Sequence, residues 1–70
     1  MIEDKQKICN LLSETLRATT SHSDLMRIRY EKVNSSCERA IVEYENGCTR
    51  IVNVSMDSGT AMIRDIVGHI

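Results

Sequence analysis

Two histidines, three cysteines and a run of hydroxyls before the last helix are the side chains whose type and spacing invite a chemical reading. His22 sits in a polar stretch and His69 beside the final residue, neither with a neighbouring carboxylate or nucleophile to orient it. Each reads as an exposed structural histidine, because acid–base work needs an oriented partner within hydrogen-bond reach. Cys9, Cys37 and Cys48 are odd in number and show no Cys-x-x-Cys spacing, so they read as free thiols in a reducing compartment and not as zinc ligands. Ser55-Met56-Asp57-Ser58-Gly59-Thr60 could present backbone amides to an anion. Asp57 would repel that anion, no Lys or Arg lies in the segment, and a plain helix N-cap explains the hydroxyls. No Gly-x-Ser-x-Gly, Walker loop or Gly-x-Gly-x-x-Gly occurs. The expectation is a non-enzymatic protein with no catalytic residues, no cofactor and no metal.

Nine Lys and Arg stand against ten Asp and Glu, a net charge of -1, which lacks the positive field of a typical nucleic-acid binder. The 70 residues, 41% hydrophobic, suffice for one domain over residues 1–70 with a single core. A domain of this size buries only about 60% of the surface its unfolded chain exposes, so self-association is a natural supplement to its stability. The opening Met1-Ile2-Glu3-Asp4 has no basic segment followed by an apolar run, and nowhere do 18 apolar residues stand together. A cytoplasmic protein without signal peptide or membrane contact is expected.

The elements follow from periodicity. From Asp4 to about Thr19, Ile8, Leu11, Leu12 and Leu16 recur at the helical period, with Glu3 and Asp4 at the positive end of the dipole. Thr19-Thr20-Ser21-His22-Ser23 ends that helix, since its hydroxyls compete for backbone bonds. The period becomes two over Leu25–Val33, again over Glu38–Glu45, and a third strand runs Cys48–Val54 after Asn46-Gly47, a strong two-residue hairpin signal. Ser58 or Asp57 caps a last helix whose stripe is Met62, Ile63, Ile66, Val67 and Ile70. The fold class is α+β, an αβββα chain with a three-stranded antiparallel sheet and two helices packed on one face.

A two-residue Asn46-Gly47 turn pairs Glu43 with Arg50, Val42 with Ile51 and Ile41 with Val52. A three-residue Ser35-Ser36-Cys37 loop sets Tyr30 against Val42, Ile28 against Tyr44, Arg29 against Glu43 and Arg27 against Glu45. Met26, Ile28, Tyr30, Ala40, Val42, Tyr44 and Ile51 then face the helices. The opposite face carries Arg27, Arg29, Glu31, Arg39, Ile41, Glu43, Glu45, Cys48, Arg50, Val52 and Val54. Burying each of Ile41, Val52 and Val54 is worth about 1.5 to 3 kcal/mol. The expected interface is therefore Ile41, Val52 and Val54 with Arg29, Arg39, Glu43 and Arg50, covered by a partner or a second copy, a homodimer being favoured.

Two resemblances add a setting. The element order resembles that of the double-stranded RNA-binding domain, whose second helix opens with phosphate-contacting lysines. The matching positions here are Asp57, Ser58, Gly59 and Thr60, with Arg64 the only Lys or Arg in that helix. Nucleic acid or a nucleotide, met through Arg27, Arg29, Arg39 and Arg50, is thus the alternative partner and not the favoured one. Val42-Glu43-Tyr44-Glu45-Asn46-Gly47, Val52-Asn53-Val54 and Asp57-Ser58-Gly59-Thr60-Ala61-Met62-Ile63 resemble the C-terminal half of short phage and mobile-element proteins of Gram-positive bacteria. That resemblance implies an accessory factor binding a host protein, as anti-CRISPR and other anti-defence inhibitors do.

Overall fold

The structure, a computed structural model, describes residues 4–70. Its order is α1 (Lys5–Arg17), β1 (Leu25–Asn34), β2 (Cys37–Tyr44), β3 (Thr49–Asn53) and α2 (Gly59–His69), an α+β fold with one antiparallel sheet ordered β1-β2-β3. Glu3, expected at the first helix's start, lies outside the described residues.

Asp4 caps α1, its side chain accepting from the Lys7 N–H at 3.0 Å. The helix stops at Arg17, two residues short of the expected Thr19. The Thr19 hydroxyl donates to the Leu16 carbonyl at 2.6 Å, and Ala18 and Thr19 turn their N–H groups to carbonyls three residues back, which tightens the last turn and leaves the helix. Cys9, Ser13 and Leu16 are buried and Leu11 is exposed, so the inward face lies nearer Cys9 than the leucine spacing suggests. On α2, Ser58 provides the cap by accepting from the Ala61 N–H. Met62 and Ile66 are buried and Ile70 packs against the core, while Ile63 and Val67 stay exposed.

Both hairpins depart from the expected registers. Ser35-Ser36 is a two-residue turn held by the Asn34 side chain, which accepts from the Ser36 N–H at 2.9 Å. The shorter turn moves the register by one position and the extra residue at Val33 by a second, so Tyr30 faces Ala40, Ile28 faces Val42 and Arg27 faces Glu43, each two positions from expectation, a shift that conserves the faces. Bulges at Met26 and Val33 absorb the extra residues. The first of them turns Leu25 into the core in place of Met26, which is exposed.

The second hairpin slips by one, and a one-residue slip exchanges faces. Gly47 (φ 88°) is the only residue of this turn with positive φ, so Asn46 does not adopt the conformation a type I′ turn requires. The Gly47 N–H donates to the Tyr44 carbonyl at 3.0 Å and the Tyr44 N–H to the Cys48 carbonyl at 2.9 Å, closing a three-residue loop over Glu45, Asn46 and Gly47. Ile41 accordingly pairs with Ile51, Ala40 with Val52 and Val42 with Arg50. Val52 (2% exposed) and Val54 (0%) enter the core, and Ile51 (60%) faces outward, which reverses their expected placement. Replacing Gly47 by alanine is expected to lower stability by about 1 to 2 kcal/mol, the strain of a Cβ in the left-handed region. Urea denaturation followed by circular dichroism measures it.

Leu25, Ile28, Val42, Val52, Val54, Met62 and Ile66 form the fully buried centre between sheet and helices. Each contributes about 1.5 to 3 kcal/mol of burial.

Candidate functional site

Strand alternation sets Arg27, Arg29, Glu31, Arg39, Ile41, Glu43, Thr49, Ile51 and Asn53 on the sheet face turned away from the helices. No described element covers it. A row runs across its middle: Arg29 beside Ile41 on one pairing, Ile41 beside Ile51 on the next. Ile41 is 7% exposed although it stands outside the main core, so its cover is made by neighbours on this face. Ile51 has no such cover.

Charges flank the apolar pair. Arg27 Nε donates to Glu43 Oε1 at 2.5 Å and Arg29 Nε to the same oxygen at 3.0 Å. The Arg27 hydrogen bond, joined by the charges of Arg27 and Arg29, holds the Glu43 carboxyl below the usual carboxylate range despite partial burial. Arg39 Nε donates to Glu31 Oε1 at 2.6 Å. Three arginines against two glutamates leave the face with one net positive charge. The arginine side chains are substantially exposed, so these pairs add little to stability and remain available to exchange partners.

Of the expected interface residues, this face brings together Arg29, Arg39, Ile41 and Glu43. Val52 and Val54 do not reach it, being core residues. Nor does Arg50, which pairs with Val42 on the helix side and donates through a guanidinium N–H to the His69 carbonyl at 2.9 Å. Glu45 lies in the loop after β2, and Cys48 closes that loop just before β3. Ile51 joins the site in place of the two valines. Its exposure was hidden in the sequence because the turn, and not the composition of β3, sets which side it takes.

A second polar constellation lies at the inner edge of the sheet. Glu38 has the same parity as Ala40 and Val42, and its carboxylate is nearly enclosed. Lys5 Nζ donates to Oε1 at 2.7 Å, the Tyr30 hydroxyl donates to that same oxygen, and the Met56 N–H donates to Oε2 at 3.1 Å. Lys5 Nζ also stands 5.8 Å from the Tyr30 ring centroid. The Lys5 hydrogen bond is foremost among the causes that bring Glu38 down to about 2. The bond to Glu38, with burial and the nearby negative charge, pushes Tyr30 up to about 12. Met56 adopts φ 62°, and its hydrogen bond to Glu38 anchors that left-handed turn. Ser55 Oγ accepts from the Glu38 N–H at 2.9 Å and donates to the Glu38 carbonyl at 3.2 Å, supplying a rung where β3 has ended. Alternation from Ala40 back to Glu38 was the signal for this cluster in the sequence. Its chemistry is that of a staple, since Lys5, Tyr30 and the Met56 N–H all converge on one carboxylate.

Burial raises the Cys9 thiol to about 11, so it stays protonated and unreactive at neutral pH. All three cysteines are free thiols. The neighbouring Asp65 carboxyl, together with burial, raises the Asp57 carboxyl above its ordinary value. No group of three or more His, Cys, Asp or Glu is arranged to hold a metal among the described residues. No helix among them is long and apolar enough to cross a membrane.

Compared with known proteins, the chain matches no family model, no curated protein and no solved structure.

Proposed function

We propose that this is a non-enzymatic binding protein, an accessory factor of a phage or mobile element that inhibits or modulates a host protein, and that it acts as a small homo-oligomer. The observation that supports this most is the uncovered sheet face, with Ile51 60% exposed beside Ile41 and flanked by arginine and glutamate. An apolar centre rimmed by exchangeable charges suits protein recognition: the centre supplies area and the rim supplies orientation and on-rate. The setting rests on the resemblance of the last hairpin and helix to short phage proteins, and the anti-defence role follows from that setting.

The second reading is nucleic-acid binding. Arg27, Arg29 and Arg39 share one face of an αβββα chain, which favours it. Each is already engaged by Glu43 or Glu31, however, and α2 opens with Gly59-Thr60-Ala61, without lysine.

Affinity capture from bacterial lysate tests the two together, using the wild type and an Arg29→Glu, Arg39→Glu variant. A stoichiometric host protein retained by the wild type and lost by the variant is expected. Co-eluting nucleic acid, released steeply as salt rises and with no protein, would put the second reading in place of the first.

A further inference from the structure

We propose that the free edge of β3 is the surface through which two copies of this chain pair, antiparallel and centred on Ile51. This deepens the self-association in the reading above by naming its surface, and it needs no host partner.

The ladder phase decides which backbone groups of β3 are unpaired. The Tyr44 N–H donates to the Cys48 carbonyl at 2.9 Å and the Val54 N–H to the Glu38 carbonyl at 3.1 Å, so these pairs bracket the β2–β3 ladder as hydrogen-bonded ones. Alternation in an antiparallel pair makes Val42–Arg50 and Ala40–Val52 hydrogen-bonded as well. The N–H and C=O groups of Thr49, Ile51 and Asn53 then point away from β2, and no described strand lies beyond them. All three residues are exposed.

The two edges of the sheet are treated differently. At the β1 edge, the outward N–H of Tyr30 donates to the Gln6 side chain of α1 at 3.0 Å. Bulges at Met26 and Val33 break that strand's regularity, and Lys32 lies on it. These are the devices by which proteins prevent strand pairing. β3 (Thr49–Asn53) has no proline, lysine or bulge. Its one charged residue, Arg50, is tied to the His69 carbonyl of its own chain.

The occupant that fits is a second β3. With a two-fold axis at Ile51, Ile51 meets Ile51 of the partner subunit, Thr49 meets the partner's Asn53, and Arg50 meets the partner's Val52. The outward groups coincide in this register, so Ile51 with its counterpart, and Thr49 with the partner's Asn53, each exchange paired N–H···O bonds. No like charges stand opposite one another. Asn53 Oδ1 already accepts from the Ser55 N–H at 2.8 Å, which leaves its amide NH2 free to donate to a threonine hydroxyl. On the outer face the Arg29, Ile41, Ile51 row continues into its symmetry copy, and the exposed Ile51 gains an isoleucine neighbour.

Sedimentation equilibrium and amide hydrogen exchange on the full chain test this, with Ile51→Pro as the variant. Proline removes an N–H that bonds to nothing within one chain, which an edge strand tolerates. The wild type is expected at twice the 7.9 kDa chain mass. Protected amides at Thr49, Ile51 and Asn53 should accompany it. Ile51→Pro is expected at the single-chain mass with unchanged far-ultraviolet circular dichroism. A wild type of single-chain mass overturns both this inference and the self-association beneath it. A wild type of double mass whose 49, 51 and 53 amides exchange freely, or a folded Ile51→Pro that still pairs, overturns the edge inference alone. If the proline variant does not fold, wild-type mass and exchange decide the matter by themselves.

Discussion

Val52→Asp abolishes folding at neutral pH, whereas Ile51→Asp, one residue earlier, changes the stability of the single chain by no more than about 1 kcal/mol. Val52 is fully buried opposite Ala40. An aspartate there places an unpaired carboxylate among Val42, Val54, Met62 and Ile66, at a cost of several kcal/mol, roughly. That is comparable to the whole stability of a small domain, which lies toward the low end of about 5 to 15 kcal/mol. At position 51 the same side chain reaches water on the outer face, where Arg29 lies on the same row. Circular dichroism at low protein concentration, with urea denaturation of the folded variant, measures both. A tolerated Val52→Asp beside an unfolded Ile51→Asp would mean the two-residue turn, with the faces of β3 exchanged.

Stability falls at both ends of the pH scale through the Glu38 cluster, and Tyr30→Phe weakens both falls. Glu38 is lowered from 4.5 to about 2 in the fold. The folded state therefore binds fewer protons than the unfolded one between these values. Its contribution is complete above about 4.5 and is lost as pH descends toward about 2. Tyr30 is raised from 10 to about 12. That contribution is complete below about 10 and is lost as pH rises toward about 12. Removing the hydroxyl abolishes the alkaline fall attributable to Tyr30 and, by taking away one donor, makes the acid fall shallower. At neutral pH Tyr30→Phe costs about 1.5 kcal/mol, the low end for a hydrogen bond to a charged acceptor, because the hydroxyl is only part-buried. Glu38→Gln is expected to cost more than Tyr30→Phe. It removes the charge that Lys5 pairs with and loosens the Met56 turn, whose N–H bonds Oε2. Urea titrations from acid to alkaline pH measure all three proteins, urea being uncharged and so leaving the ion pair unscreened. Parallel pH curves for wild type and Tyr30→Phe would remove Tyr30 from the cluster.

Periodicity and end signals carried the architecture. Ile8, Leu12 and Leu16 at helical spacing, the alternation from Ile28 to Tyr30 and from Ala40 to Val42, and Ser58 before a last apolar stripe determined two helices and three strands in order. They also put Arg29, Arg39, Ile41 and Glu43 on the outer face, because each sits in a strand whose parity survives a shift of two. These are local properties, settled by which neighbours recur at 3.6 or 2.0 residues.

What only the tertiary structure decided depended on one backbone angle and on contacts distant in sequence. Asn46-Gly47 is compatible with two loop lengths, and the choice of the longer one exchanged Ile51 with Val52 and removed Val54 and Arg50 from the expected interface. The bulge at Met26 likewise put Leu25 in the core. The Glu38 staple joins Lys5, Tyr30 and Met56 from three parts of the chain, and the edge-closing bond joins Gln6 to Tyr30. Side-chain period can show that a strand has two faces, but which face is buried is a property of register, and register is fixed where the chain turns and meets itself.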